Sequence, residues 1–328
     1  MILFLKNTAR IPLFLVFLIL NTILHGSLVS LCGITKFIVP ISKFHIIISR
    51  FAYWISGGYV ITNNFLIKIF YAPEWDIKGL ANLKMNGTYL VLCNHLSLLD
   101  IPSLQRIFFK RIPFLRFFIK HQLIFVPFLG QSLWALNFPS MKRYSKETLN
   151  KHPKLSGKDL NTTKRSCENL RGQPVSMLIY AEGTRFTIEK HIKTNSPYKN
   201  LLKPRAGGVH TVLRSLGDEL TSILDVTIVY PGHKSPNLLD FLLGKIPRVI
   251  IRIKAINIGE NDVPSFEIIK SKEGSLAVRN FLNQTWELKD KLISKIHSES
   301  SITVTISQPT SEPSSTDSTG VSSITSLF

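Results

Sequence analysis

The sequence predicts an α/β fold in which a central sheet is flanked by helices and an N-terminal membrane helix or helices precede it. Three observations predict this. Residues 88–93, Thr-Tyr-Leu-Val-Leu-Cys, form a short apolar run behind the turn signal Asn86-Gly87, as a buried strand would. Residues 175–180, Val-Ser-Met-Leu-Ile-Tyr, repeat the pattern behind Gly172 and Pro174, and both runs end on polar residues, the arrangement in which α/β sheets build sites at strand ends. Residues 11–35 are twenty-five positions without a charge, rich in Leu, Ile, Val and Phe.

That first stretch is long enough to cross a hydrocarbon core as a helix. It is longer than the apolar part of a secretory signal and lacks a clean small-x-small cleavage site, so it reads as an uncleaved anchor. Asn21, Thr22, His25 and Gly26 weaken its middle, which leaves a re-entrant or interfacial hairpin with the next segment open. Residues 37–70 are apolar with Phe51, Tyr53, Trp54 and Tyr59 among them; they suit either the lipid–water boundary or an amphipathic helix packed on the domain. Basic residues after the anchor slightly outnumber those before it, a bias toward a cytoplasmic catalytic domain.

Residues 75–85 read as a loop or edge strand. After the strand at 88–93, Ser97 offers a helix N-cap, and 101–109 continue as a helix. Residues 111–120 mix bases and aromatics as a second strand or a lip in the headgroup layer. Residues 130–137 form a short helix, and Lys142 and Arg143 follow in a loop. Residues 146–156 are polar, and 158–171 read as a charged surface helix ended by Gly172. Beyond the strand at 175–180 come a long loop at 187–203, a helix at 206–216, strands at 225–230 and 249–258, and an amphipathic helix at 275–296. The expected division is an anchoring segment at 1–70, a catalytic domain at 71–297 and a Ser/Thr-rich disordered tail at 298–328.

The formal net charge is +19, and the final segment carries no Lys or Arg, so the positive charge resides in the first 297 residues. Such a field recruits anions. It is interleaved with apolar runs, and no nucleic-acid-binding pattern accompanies it, so an acidic membrane surface is the expected partner and nucleic acid is not. Three widely spaced cysteines, Cys32, Cys93 and Cys167, argue against a disulfide framework or a zinc site.

The candidate chemistry sits at the two strand ends. In Asn94-His95-Leu96-Ser97-Leu98-Leu99-Asp100, a strand-end turn can fold the carboxylate of Asp100 onto the imidazole of His95. His95 so held is a candidate general base, although Asp100 as a mere helix cap fits the spacing too. About ninety residues on, Glu182-Gly183-Thr184-Arg185 offers a guanidinium suited to phosphate and a glycine that lets backbone amides approach. A structural Glu182–Arg185 ion pair is the plainer alternative.

The Asn-His-x-Ser-x-x-Asp and Glu-Gly-Thr-Arg pair resembles the glycerolipid acyltransferases of the lysophosphatidate, or PlsC-like, type. Phe138-Pro139-Ser140-Met141-Lys142-Arg143, Lys203-Pro204-Arg205-Ala206-Gly207-Gly208 and Val226-Thr227-Ile228-Val229-Tyr230-Pro231 resemble the family's other motifs. Within the family, the chain is most similar to the YihG-like and lysocardiolipin acyltransferase branch. Ala181 departs from the Pro that many relatives place before the Glu.

The resemblance implies a mixed central sheet. It also implies transfer of a fatty acyl group from acyl-CoA or acyl carrier protein to the free hydroxyl of a lysophospholipid, most directly 1-acyl-glycerol-3-phosphate, with lysocardiolipin and lysophosphatidylglycerol as alternatives. His95 and Asp100 are then the catalytic pair, and Arg143, Glu182, Gly183, Thr184 and Arg185 the substrate-binding set. No metal or further cofactor is implied, and the catalytic domain is expected on the cytoplasmic face of the inner cell membrane. Two rival readings remain at this point: a phosphoester hydrolase with His95, Asp100 and Glu182 as metal ligands, and a basic, membrane-tethered lipid-binding protein without catalysis.

Overall fold

The computed structural model describes residues 7–39, 41–141, 164–258 and 263–306. Arg143, the polar stretch at 146–156 and residues 307–328 lie outside the described residues.

Two long helices come first, α1 (Asn7–Ile38) and α2 (Ser42–Phe70). Three residues separate them, so the chain doubles back. Asn21 Nδ2 donates to Asn63 Oδ1 at 2.9 Å, and Lys36 Nζ to Ser49 Oγ at 3.4 Å. Residues 9–38 form the one helix among the described residues long and apolar enough to cross a membrane. Leu20, Leu24 and Leu31 of α1 and Phe51, Trp54 and Phe65 of α2 are exposed.

The domain that follows holds a six-stranded sheet. In chain order its strands are β1 (Glu74–Lys78), β2 (Tyr89–Cys93), β3 (Leu115–Phe117), β6 (Ser176–Tyr180), β7 (Ser222–Val229) and β8 (Arg248–Ile256). The spatial order is β1-β8-β7-β2-β6-β3. Only β7 and β8 pair antiparallel, so the sheet is mixed. A two-stranded ribbon pairs β4 (Ile119–Lys120) with β5 (Ser140–Met141). Residues 111–120 thus form an edge strand and a ribbon strand, and residues 74–78 form the opposite edge.

Alternation along β2 serves both faces, as in a sheet covered on two sides. Tyr89, Val91 and Cys93 pack with Leu66 and Phe70 of α2 and with Leu104, Ile107 and Phe108 of α3 (Asp100–Phe108). Leu90 and Leu92 face α6 (Ala206–Leu216) and α9 (Gly274–Ile306), where Val212, Leu213, Phe281 and Trp286 are buried. Trp286 is 0% exposed, and truncating it to Ala would cost about 3–5 kcal/mol. The short helices α4 (Leu129–Ala135), α5 (Ile188–Lys193), α7 (Leu238–Leu242) and α8 (Phe266–Lys270) complete the layers.

Three expectations need correction. Helix α9 continues through Ile306 rather than ending at 296, because no Gly or Pro interrupts the chain between Gly274 and Pro309. The loop at 187–203 contains α5, which Thr187 caps by accepting the Lys190 N–H at 3.2 Å. Ser97 is not the N-cap of α3. Leu99 holds that position without a side-chain bond, and Ser97 Oγ accepts the Leu99 N–H at 3.3 Å.

Candidate active site

Strands β7, β2 and β6 lie side by side and parallel, so their carboxyl ends open on one edge of the sheet. Asn94 closes β2 by gripping β7. Its Nδ2 donates to Ile228 O and its Oδ1 accepts the Ile228 N–H, each at 2.9 Å. His95 therefore emerges at a fixed point between neighbouring strands.

The turn that follows is folded around one carboxylate. Asp100 is 0% exposed, and its Oδ2 accepts from His95 Nδ1 at 2.8 Å, from the Leu96 N–H at 2.7 Å and from the Ser97 N–H at 2.9 Å. Its Oδ1 accepts the Tyr230 hydroxyl at 2.9 Å. A carboxylate with this many donors is held in one position and fixes the ring that shares it. With Nδ1–H directed at Asp100, Nε2 of a neutral His95 is the acceptor nitrogen. The ring stacks on Tyr180 with centroids 3.9 Å apart and planes 13° from parallel. Burial pushes the Tyr180 and Tyr230 hydroxyls well above the usual phenol range, so both stay protonated.

The second turn wraps the first. The Phe186 N–H donates to His95 O at 2.7 Å. Glu182, 1% exposed, accepts the His95 N–H at 3.1 Å through Oε1 and the Leu202 N–H at 2.9 Å through Oε2. Burial pushes the Glu182 carboxyl up to about 7, against the pull of these two donors. With each oxygen accepting a backbone N–H, Glu182 braces the turn from beneath. Gly183 has φ +73°, in the left-handed region that favours glycine, and a Cβ there would approach Arg205 Cδ to 3.2 Å. Thr184 Oγ1 accepts from Lys190 Nζ at 2.9 Å, and Arg185 is exposed.

The structure thus brings His95, Asp100, Glu182, Gly183, Thr184 and Arg185 to one strand-end edge. Sequence reasoning named Tyr230 and Arg205 only within motif stretches, without a role, and missed Tyr180 and Lys190 as neighbours of the site. A buried Tyr ending an apolar strand usually bonds something through its hydroxyl, and that was the available signal for Tyr230. No group of three or more His, Cys, Asp or Glu among the described residues is arranged to hold a metal ion. His95, Asp100 and Glu182, the ligand set of the rival hydrolase reading, do not form such a group. Beside the His95 turn lies an apolar cavity of about 460 Å³ whose lining includes Leu18, Leu98, Leu99, Pro102 and Phe117.

Residues 74–231 match the Acyltransferase family model. The chain is 33% identical over 136 residues to mouse 1-acyl-sn-glycerol-3-phosphate acyltransferase gamma, covering 38% of this chain and 33% of that protein. It is 25% identical over 284 residues to a 2-acyl-1-lysophosphatidylinositol acyltransferase of Saccharomyces cerevisiae, covering 73% of this chain and 68% of the relative. The match to the mouse enzyme thus spans about a third of that relative's length. The crystal structure of the 1-acyl-sn-glycerophosphate acyltransferase PlsC from Thermotoga maritima shares the fold, with a TM-score of 0.50 and 13% identity over 89% of this chain and 96% of that one. Two polar turns closing adjacent parallel strands thus lie inside the segment that matches the Acyltransferase family model.

Proposed function

We propose that the protein moves a fatty acyl group from an acyl thioester to the free hydroxyl of a lysophospholipid. One observation carries the reading: an imidazole fixed by a buried carboxylate at 2.8 Å, beside a turn whose Arg185 is exposed. His95 Nε2 takes the proton of the acceptor hydroxyl as its oxygen attacks the thioester carbonyl, a contribution of typically ~10²–10⁴ in rate. The tetrahedral intermediate then expels the thiolate, which recovers the proton from His95. Asp100 orients the imidazole and stabilises its charged form. Arg185, with the backbone of Gly183 and Thr184, holds the acceptor's phosphate, and Arg143 adds a second cation.

The apolar cavity beside the turn accepts an acyl chain, its volume lying within the ~300–1,000 Å³ of small-molecule sites. Helices α1 and α2 set the domain on a membrane, with the site on the cytoplasmic side where thioester donors are made. The acceptor best supported by the relatives' names is 1-acyl-glycerol-3-phosphate. The long match to the yeast enzyme favours lysophosphatidylinositol as a second reading. Purified protein given mixed lysophospholipids and a labelled acyl thioester decides between them by mass spectrometry of the products. Labelled phosphatidic acid supports the first and labelled phosphatidylinositol the second. No labelled diacyl product, with active relatives as controls, overturns both.

A further inference from the structure

The brace under His95 does not end at Glu182. Its second donor, the Leu202 N–H, belongs to a strap that is itself fastened to the C-terminal helix. Asp290 of α9 accepts the Lys199 N–H at 2.9 Å and the Asn200 N–H at 2.7 Å. Asn200, 8% exposed, returns its side-chain amide to Asp290 Oδ1 at 3.1 Å and to Ser294 Oγ at 2.8 Å. The strap is fixed elsewhere as well, by Ser196 Oγ donating to Leu201 O at 2.6 Å and by His191 Nε2 bonding Tyr198 O at 2.6 Å.

The neighbouring residue, Lys289, grips the sheet. Its side chain is 0% exposed, pairs with Asp225 at 2.7 Å and bonds Val226 O on β7. Consecutive residues of α9 therefore hold a strand of the site sheet and the strap beneath the second turn. Both lie beyond residues 74–231, the segment matched by the family.

We infer that Asp290 is a positioning residue for His95, acting through Asn200, Leu202 and Glu182. The line of bonds runs from Asp290 to the 199–200 amides, along the backbone to the Leu202 N–H, through the two oxygens of Glu182 and into the His95 N–H. Each link is a bond to backbone, so a shift of the strap moves the carboxylate, and the carboxylate moves the turn that carries the imidazole. A misplacement of about 1 Å at a reacting group costs on the order of 10²-fold in rate, so slack at the far end of this line reaches turnover.

The inference rests on the acyl-transfer reading for its kinetic arm only. Asp290→Ala and Asn200→Ala are compared with Lys291→Ala, which breaks only an exposed pair with Glu287 on the same helix. Hydrogen exchange in the full chain needs no activity. The expected result is faster exchange at amides 94–97 as well as at 199–202 in the first two variants, with Lys291→Ala unchanged. In acyl transfer, kcat falls about tenfold or more while KM for both substrates holds, and Asp290→Asn, which keeps one acceptor, recovers part of the loss. Faster exchange confined to 199–202, or a kcat loss that only tracks the fraction of unfolded protein, overturns the inference. A wild-type protein with no acyl transfer but coupled exchange removes the kinetic reading and leaves the positioning line standing.

Discussion

The two strand-end turns differ in what they do with their charges. The turn after β2 buries its carboxylate and surrounds it with donors, leaving the imidazole, 16% exposed, as the member of the pair that reaches the surface. The turn after β6 buries Glu182 among backbone amides and leaves Arg185 in solvent. One turn is wired to hold a single geometry; the other divides into a fixed floor and a free arm. A proton-transfer group needs the first kind of setting, because reach and orientation set its efficiency. A group that grips a headgroup works from the second, because a long, flexible cation can follow its ligand.

Removing His95 breaks this contrast most severely. His95→Ala lowers kcat/KM for acyl transfer by about 10²–10⁴, while membrane binding through the N-terminal helices survives. Steady-state kinetics beside a vesicle-flotation assay measure the two separately, and an unaltered kcat/KM would remove the imidazole from the mechanism. Arg185→Ala is the matching experiment on the free arm. A lost charge-assisted phosphate contact is worth ~1.5–3 kcal/mol, or roughly a ten- to hundredfold rise in KM for the phosphorylated acceptor. Melting temperature should hold, since Arg185 is exposed. A fall in kcat at constant KM would place Arg185 at the reacting centre instead.

Tyr230→Phe sharpens the account of the wired turn. The hydroxyl is buried and donates to Asp100 Oδ1 at 2.9 Å. Its loss should destabilise the fold by ~1.5–3 kcal/mol in urea unfolding, the worth of a bond to an ionised acceptor. Turnover should fall by less than about tenfold, because Asp100 keeps His95 and two backbone donors.

Much of this edge was legible in the residues. Short apolar runs marked β2 and β6, and apolar residues near 3.6 spacing marked the body of α9. The pairing of His95 with Asp100 was expected because a strand-end turn can close five residues into contact. What stayed hidden was long-range. Tyr230 lies 130 positions from Asp100 and Asp290 lies 90 from Asn200, and no local period reports such bonds. The bonds of Glu182 were hidden for a related reason: its acceptors serve the amides of His95 and Leu202, and the latter lies 20 positions away. The end of α9 was misjudged because a Ser-rich composition was given more weight than the absence of a helix breaker.

The finest test of the floor beneath the turns is a measurement of stability against pH at Glu182. Burial pushes its carboxyl up to about 7 in the folded chain from an ordinary value of 4.5, so between those pH values the folded state holds a proton that the unfolded state has released. Stability from this group is fully present below about 4.5 and is lost as pH rises through about 7. Glu182→Gln removes that slope but aims an amide NH₂ at one of the two backbone donors, at a cost of ~1–3 kcal/mol for the N–H left unpaired. The variant should therefore be less stable than the parent, with a weaker decline in melting temperature between pH 5 and pH 7. Thermal unfolding across that range measures both. An equally steep decline in the variant would mean that Glu182 stays ionised throughout, with its two amides outweighing its burial.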